Sequence, residues 1–178
     1  MNNFMKELIE IGKTIIISFM LVLVITMLIK PTTVNGHSMN PTLDNKDYLL
    51  MDRVSYKIDT PSKGDVVVFK SQITMENGKQ KHLIKRVIGT AGDKIKIADG
   101  KVYVNDKEIK ENYINGSNTY GNIDTTVPKD SLFVMGDNRL PGQSLDSRED
   151  IVGFVKTEDI VGKAFVRLYP FNKITLLD

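Results

Sequence analysis

From Thr14 to Ile29 the chain reads TIIISFMLVLVITMLI, sixteen residues without a charge, a glycine or a proline, and Lys30-Pro31 ends the run. No other stretch limits the fold as much, because a helix that is apolar on every side has no polar face to turn to water. The run is a little short of the roughly 20 residues that a bilayer core requires, but Leu8 to Gly12 extend it while Glu10 and Lys13 snorkel. One transmembrane helix over about residues 8–29 is expected, with membrane lipid as its partner. A cleaved secretory signal shares the charged start and apolar core, but the following TTVNGHSMNP offers no clear small-x-small cleavage site. Lys6 and Lys13 are offset by Glu7 and Glu10, so the charge rule only leans towards a cytoplasmic N-terminus. Residues 1–30 are then a cytoplasmic head and anchor in the cell membrane, and residues 31–178 an extracytoplasmic domain.

The remaining inventory excludes whole classes of function. With 24 Lys+Arg against 22 Asp+Glu, the formal charge is +2 and forms no basic block, so no nucleic-acid partner is expected. There is no cysteine, which removes disulfides, thiolate nucleophiles and Cys-based zinc sites. Two histidines, His37 and His82, make no convincing metal site, and neither metal nor cofactor is expected.

Beyond the anchor, helical periodicity is scarce. Short alternating or fully apolar runs recur at 48–54, 65–70, 82–89 and 131–136, and 162–170 supplies a closing strand. In KIKIADGKVYVN (94–105) alternating flanks surround Asp99-Gly100, a strong hairpin signal, and residues 105–107 suggest a second turn. The polar, Asn- and Gly-rich stretch from about 106 to 130 reads as a loop excursion. The expected fold is mainly β, a folded sheet or small barrel tethered by one N-terminal helix.

Three places could carry chemistry. Ser38 lies in GHSMNPTLDNKD, where Asn40-Pro41 can begin a short helical turn, leaving the hydroxyl exposed and the Ser38 N–H pointing outward to meet an oxyanion. Taken alone, such a serine is equally a turn or cap residue. Lys85 sits in HLIKRVIG, where strand alternation places Leu83, Lys85 and Val87 on one face. Burial would disfavour its ammonium and free the amine as a base; the alternative is an edge lysine that snorkels to water. His37 follows the opposite direction to Ser38 in an extended segment, so a Ser-His pair is disfavoured there. GDNRLPGQSLDSRED (136–150) is dense in polar groups, and Ser144, Asp146 and Arg148 alternate so that a hydroxyl, a carboxylate and a guanidinium can share one side, although a solvated turn has the same composition.

In order after a membrane span, SMNPTL (38–43), GDVVVF (64–69), KRVIG (85–89) and GDNR with SLDSR (136–139 and 144–148) resemble the bacterial type I signal peptidases, the Ser/Lys leader peptidases. The resemblance covers essentially the whole chain. It implies a membrane-anchored serine endopeptidase that cleaves signal peptides from secretory preproteins after Ala-x-Ala-like sites, with Ser38 as nucleophile and Lys85 as general base. It further implies that Ser144 orients the lysine amine, that Asp146 and Arg148 form the ion pair holding that segment, and that Gly36 stands where some members carry an oxyanion-hole serine, the Gram-positive-like pattern. Met39, Leu43, Leu83 and Ile84 are implied to line the shallow apolar pockets for substrate. One departure is LeuProGlyGln between Arg139 and Ser144, longer than the two residues expected, which either loops out or shifts Ser144. Two other readings compete: a specialised or self-cleaving Ser/Lys protease, related to soluble SOS-response repressors, and a membrane-displayed β-domain binding protein in which Ser38 and Lys85 are incidental.

Overall fold

The computed structural model describes residues 3–116 and 118–177. Helix α1 (Asn3–Leu28) is followed by strands β1 (Ile29–Thr33) and β2 (Tyr48–Asp52), helix α2 (Ser55–Ile58), then β3 (Val66–Thr74), β4 (Gln80–Gly89), β5 (Lys94–Ala98), β6 (Lys101–Val104) and β7 (Lys107–Glu108). The rest of the chain adds β8 (Ile123–Thr126), β9 (Ser131–Met135), β10 (Val155–Lys156), β11 (Ile160–Tyr169) and β12 (Thr175–Leu176). The fold is mainly β, as the strand pattern implies.

Helix α1 has 26 residues, about 39 Å at 1.5 Å per residue, which exceeds the roughly 30 Å of a hydrocarbon core. Its apolar side chains are exposed all round, and an 18-residue stretch within Phe4–Leu28 has a mean hydropathy of 2.4. The helix starts earlier than residue 8 because Phe4 and Met5 continue the apolar surface, and it ends at Leu28 because Pro31 disfavours helical backbone in the residue before it. Lys13 and Glu10 pair at 2.8 Å, which offsets the two charges closest to the apolar run.

The larger sheet runs in the order β1-β2-β11-β3-β4-β9-β10, with β12 added on β11. All its pairings are antiparallel. Pro31 fits because β1 is an edge strand, where a missing N–H costs no ladder bond. A smaller sheet has the order β7-β6-β5-β8. Asp99-Gly100 forms its expected tight turn, with φ of 52° and 77° at the two turn residues and Ala98 opposite Lys101. Asn105-Asp106 turns the chain from β6 into β7 in the same way. The excursion at 106–130 carries a strand that composition hides: β8 pairs with β5 although it reads IDTT.

Three apolar clusters hold these sheets together. Val67, Phe69, Leu83, Val87, Leu132 and Val134 belong to one. Ile88, Phe133 and Met135 face the opposite way and join Ile95, Ile97, Val102 and Val104 in the second. Strands β4 and β9 are thus covered on both sides, which is why SLFVM is apolar throughout. The third cluster packs Val34, Met39, Leu43 and Leu49 against Val66, Ala164 and Leu177.

Candidate active site

Ser38 lies in the connection from β1 to β2. Val34 anchors that connection through Val34 N to Asp47 O and Lys46 N to Val34 O, both 2.9 Å. Gly36, at φ +112°, turns the chain and donates to Asn45 Oδ1 at 3.0 Å. A Cβ at Gly36 would meet open space, so the strain of its φ, and not crowding, limits what residue stands there.

The expected helical turn at Asn40-Pro41 is not formed. The Asn40-Pro41 peptide is cis and the segment is a set of turns, closed by Leu43 N to Met39 O at 2.9 Å. That single closure puts Met39 and Leu43 on the same inward side, and both are wholly buried in the third cluster. They therefore pack beneath the site and are not among the residues of the small cleft beside Ser38. That cleft, of about 90 Å³, is walled by Thr32, Val34, Ser38, Leu49, Ile84 and Lys85, with Leu83 and His82 at its side, so the structure brings Leu83 and Ile84 to it. The β1 and β2 wall of this cleft was not readable from spacing, because it depends on the sheet folding back over β4.

Lys85 lies on β4 opposite Val67. Its Nζ lies 2.6 Å from Ser38 Oγ and donates to Ile84 O at 3.0 Å. The residue is 2% exposed. Burial pushes its amine down to about 8, against a weaker opposite pull from Asp146 and Asp137. A buried lysine with its pKa brought down to about 8, touching a hydroxyl, has the chemistry to accept that hydroxyl's proton.

The 136–150 segment lies against this pair. Asp146 is fully buried and accepts from Arg148 Nε and Nη2, both at 2.8 Å. Burial alone would raise the Asp146 carboxyl, but the Arg148 fork and the Gly136 N–H hold it below the usual carboxylate range. Ser144 is not joined to the lysine by a hydrogen bond, as its expected orienting role requires; its hydroxyl donates to Asp146 Oδ2 at 2.7 Å. The carboxylate outcompetes a buried amine because it is the stronger acceptor. Gly136 makes this packing possible, since a Cβ there would collide with the Ser144 side chain and the Ser38 carbonyl. LeuProGlyGln loops out as a turn closed by Gln143 N to Leu140 O at 3.2 Å, with Pro141 and Gly142 (φ +71°) in the middle positions that such a turn favours. With Tyr120 and Asn122, Leu140 and Pro141 form a wall that adjoins Ser144 and Arg148.

Two further ion pairs fix the surroundings. Arg86 grips Asp137 with Nε at 3.0 Å and Nη2 at 2.8 Å, donates to Gly64 O at 2.8 Å, and lies 4.1 Å from the centre of the Tyr113 ring. Thr42, from the Ser38 segment, donates to the same Asp137 carboxylate. Arg139 pairs with Glu111 and donates to Thr119 Oγ1 at 2.6 Å, which ties the excursion to the 136–150 segment. The GDNR letters carried the signal for Asp137 and Arg139, but their partners Glu111 and Tyr113 sit in a stretch that sequence alone leaves as loop.

Comparison with known proteins identifies the family. The family model described as signal peptidase, peptidase S26, matches residues 8–169. A probable signal peptidase I-2 of Synechocystis sp. is 37% identical over 171 residues, which cover 94% of this chain and 76% of the relative. The signal peptidase I of Leptolyngbya laminosa is 35% identical over 173 residues, 95% of this chain and 83% of that one. Signal peptidase I P of Bacillus subtilis subsp. natto is 34% identical over 182 residues, 95% of this chain and 92% of the relative. The chain belongs to the signal peptidase family, peptidase S26, and is a serine peptidase that removes signal peptides from preproteins.

Proposed function

We propose that Ser38 is the nucleophile and Lys85 the general base of signal-peptide cleavage. The observation that carries this reading is the 2.6 Å approach of a buried amine, with its pKa brought down to about 8, to the Ser38 hydroxyl. The free amine takes the Oγ proton as the oxygen attacks the scissile carbonyl carbon. The Ser38 N–H meets the developing oxyanion. The C–N bond then breaks, the ammonium returns the proton to the leaving amine, and an acyl ester remains on Ser38. The regenerated amine deprotonates water, which attacks the ester, and Ser38 Oγ leaves with the proton.

The preprotein lies extended in the cleft between the β1 end and residues 82–85, where β4 is not paired with β9. At about 90 Å³ the cleft is small, which supports small side chains before the scissile bond, as in Ala-x-Ala sites. The part after the bond leaves past Ser144 along the Leu140–Tyr120 wall. Widening the cleft by Ile84→Ala relaxes the choice of residue before the bond; an unchanged preference across a substrate panel contradicts this assignment.

Helix α1 anchors the chain as a single span with the N-terminus cytoplasmic. Ser38 follows Leu28 by ten residues, so it works within roughly 35 Å of the helix end, where the apolar part of a signal peptide emerges. The test uses full-length protein in detergent with a preprotein carrying an Ala-x-Ala site. Cleavage after that site by the parent and by neither Ser38→Ala nor Lys85→Ala supports the dyad; equal cleavage by all three refutes it.

A further inference from the structure

We infer that Asn138 is a positioning residue that aims the Ser38 N–H at the oxyanion. The inference rests on Ser38 being the nucleophile. Asn138 binds the nucleophile segment twice: its side-chain Nδ2 donates to His37 O at 3.0 Å, and its backbone N donates to Ser38 O at 3.0 Å. The His37 carbonyl and the Ser38 N–H belong to one planar trans peptide unit and point in opposite directions. Fixing the carbonyl therefore fixes the N–H. The Asn138 side chain holds the carbonyl end on the protein side, so the N–H is turned to the opposite side of that unit.

Other contacts make this clamp stiff. Asn138 is 4% exposed and sits between Asp137 and Arg139, each locked in a buried ion pair. It also bridges to Asn115. The second donor on His37 O is local and longer, Asn40 N at 3.2 Å, so Asn138 is the shorter of two restraints and the one that ties the segment to the β9 side of the site. Gly36 leaves no side-chain hydroxyl at its position, which places more of the oxyanion's stabilisation on a single N–H and makes its direction matter more.

Asn138→Ala and Asn138→Asp in the full-length enzyme test the inference through kcat, KM and the pH profile. The aspartate is nearly isosteric but cannot donate to the His37 carbonyl and repels it. In both variants kcat falls about ten- to hundredfold with KM within about twofold, and aspartate is the worse of the two. In the alanine variant the acidic limb of the profile stays near pH 8, because Lys85 keeps its place on β4, whereas the added carboxylate of the aspartate variant moves it upward. An aspartate variant as active as the parent overturns the inference, since the residue then only fills space. A limb displaced together with a raised KM in the alanine variant also overturns it, because the dyad itself has moved. Should Ser38→Ala cleave like the parent, the nucleophile assignment fails first, and that result is read independently of Asn138.

Discussion

Lys85 and Arg86 are neighbours on β4, are both 2% exposed, and meet opposite fates. Arg86 is saturated by a bidentate carboxylate, a carbonyl and an aromatic face. Burial works against its charge, but the Asp137 pair outweighs burial and the guanidinium is held more firmly protonated than usual. Lys85 has a hydroxyl and a carbonyl, and the carboxylate that acts on it most, Asp146, is already committed to Arg148. The same strand thus buries one compensated cation, which builds the site, and one undercompensated amine, which can act as a base. The difference lies in who holds the nearby carboxylates.

Exchanging the two kinds of cation tests that contrast most severely. Lys85→Arg places a group that stays charged where the proposed mechanism needs a proton acceptor, and preprotein cleavage is expected to fall at least about 10⁴-fold. Activity within about a hundredfold of the parent breaks the comparison, because a guanidinium cannot serve as the base. On the other side, Asp137→Ala strips Arg86 of its partner and leaves a buried charge. The expected loss is about 3–5 kcal/mol of stability, measured by denaturant unfolding. A loss below about 1 kcal/mol means that Arg86 relaxes to water and that its pairing is not what holds the β4 to Asp137 contact.

Lys85→Met asks the stability question of the other cation. The unfolded chain keeps the lysine proton up to about 10.5, while the folded protein releases it near 8. Between those values the unfolded state binds more protons, so the parent gains stability as pH rises, by about 3 kcal/mol over the interval relative to the methionine variant. Below pH 8 the variant is then the more stable protein although it is inactive. Parallel stability curves across this interval indicate an ordinary lysine and remove the basis for a free amine at neutral pH.

Sequence order made Ser38 and Lys85 readable because their boxes are contiguous and strand alternation places a lysine among apolar neighbours. It also showed the hairpin at Asp99-Gly100, whose turn residues need positive φ. The burial of Met39 and Leu43 was not legible, since whether an apolar residue beside a serine lines a cleft or fills the core is decided by one turn of backbone and by Val66 and Ala164, far away in sequence. The hydrogen-bond partner of Ser144, Asp146 and not the lysine, was not legible, because competition between acceptors within a few ångströms leaves no trace in letter patterns. Strand β8 was hidden by its polar sequence, which pairs through its backbone and only half-buries two residues.

The smallest expected effect separates the two cations by way of their anions. Arg148 lowers the Lys85 pKa through its own charge and also occupies Asp146, whose charge raises it. Arg148→Gln removes the first influence and frees the second, and both changes favour the ammonium. The acidic limb of kcat/KM should therefore move from near pH 8 towards about pH 9, with rates recovering at high pH. Asp146 is fully buried, so the variant also loses stability, while Arg86 and Asp137 lie outside the Asp146–Arg148 pair and keep β4 in place; the limb is therefore read at a temperature where the variant is still folded. An unmoved limb with a uniformly lower rate assigns Arg148 to holding the 136–150 segment in place, and then burial alone, not the commitment of Asp146, sets the amine.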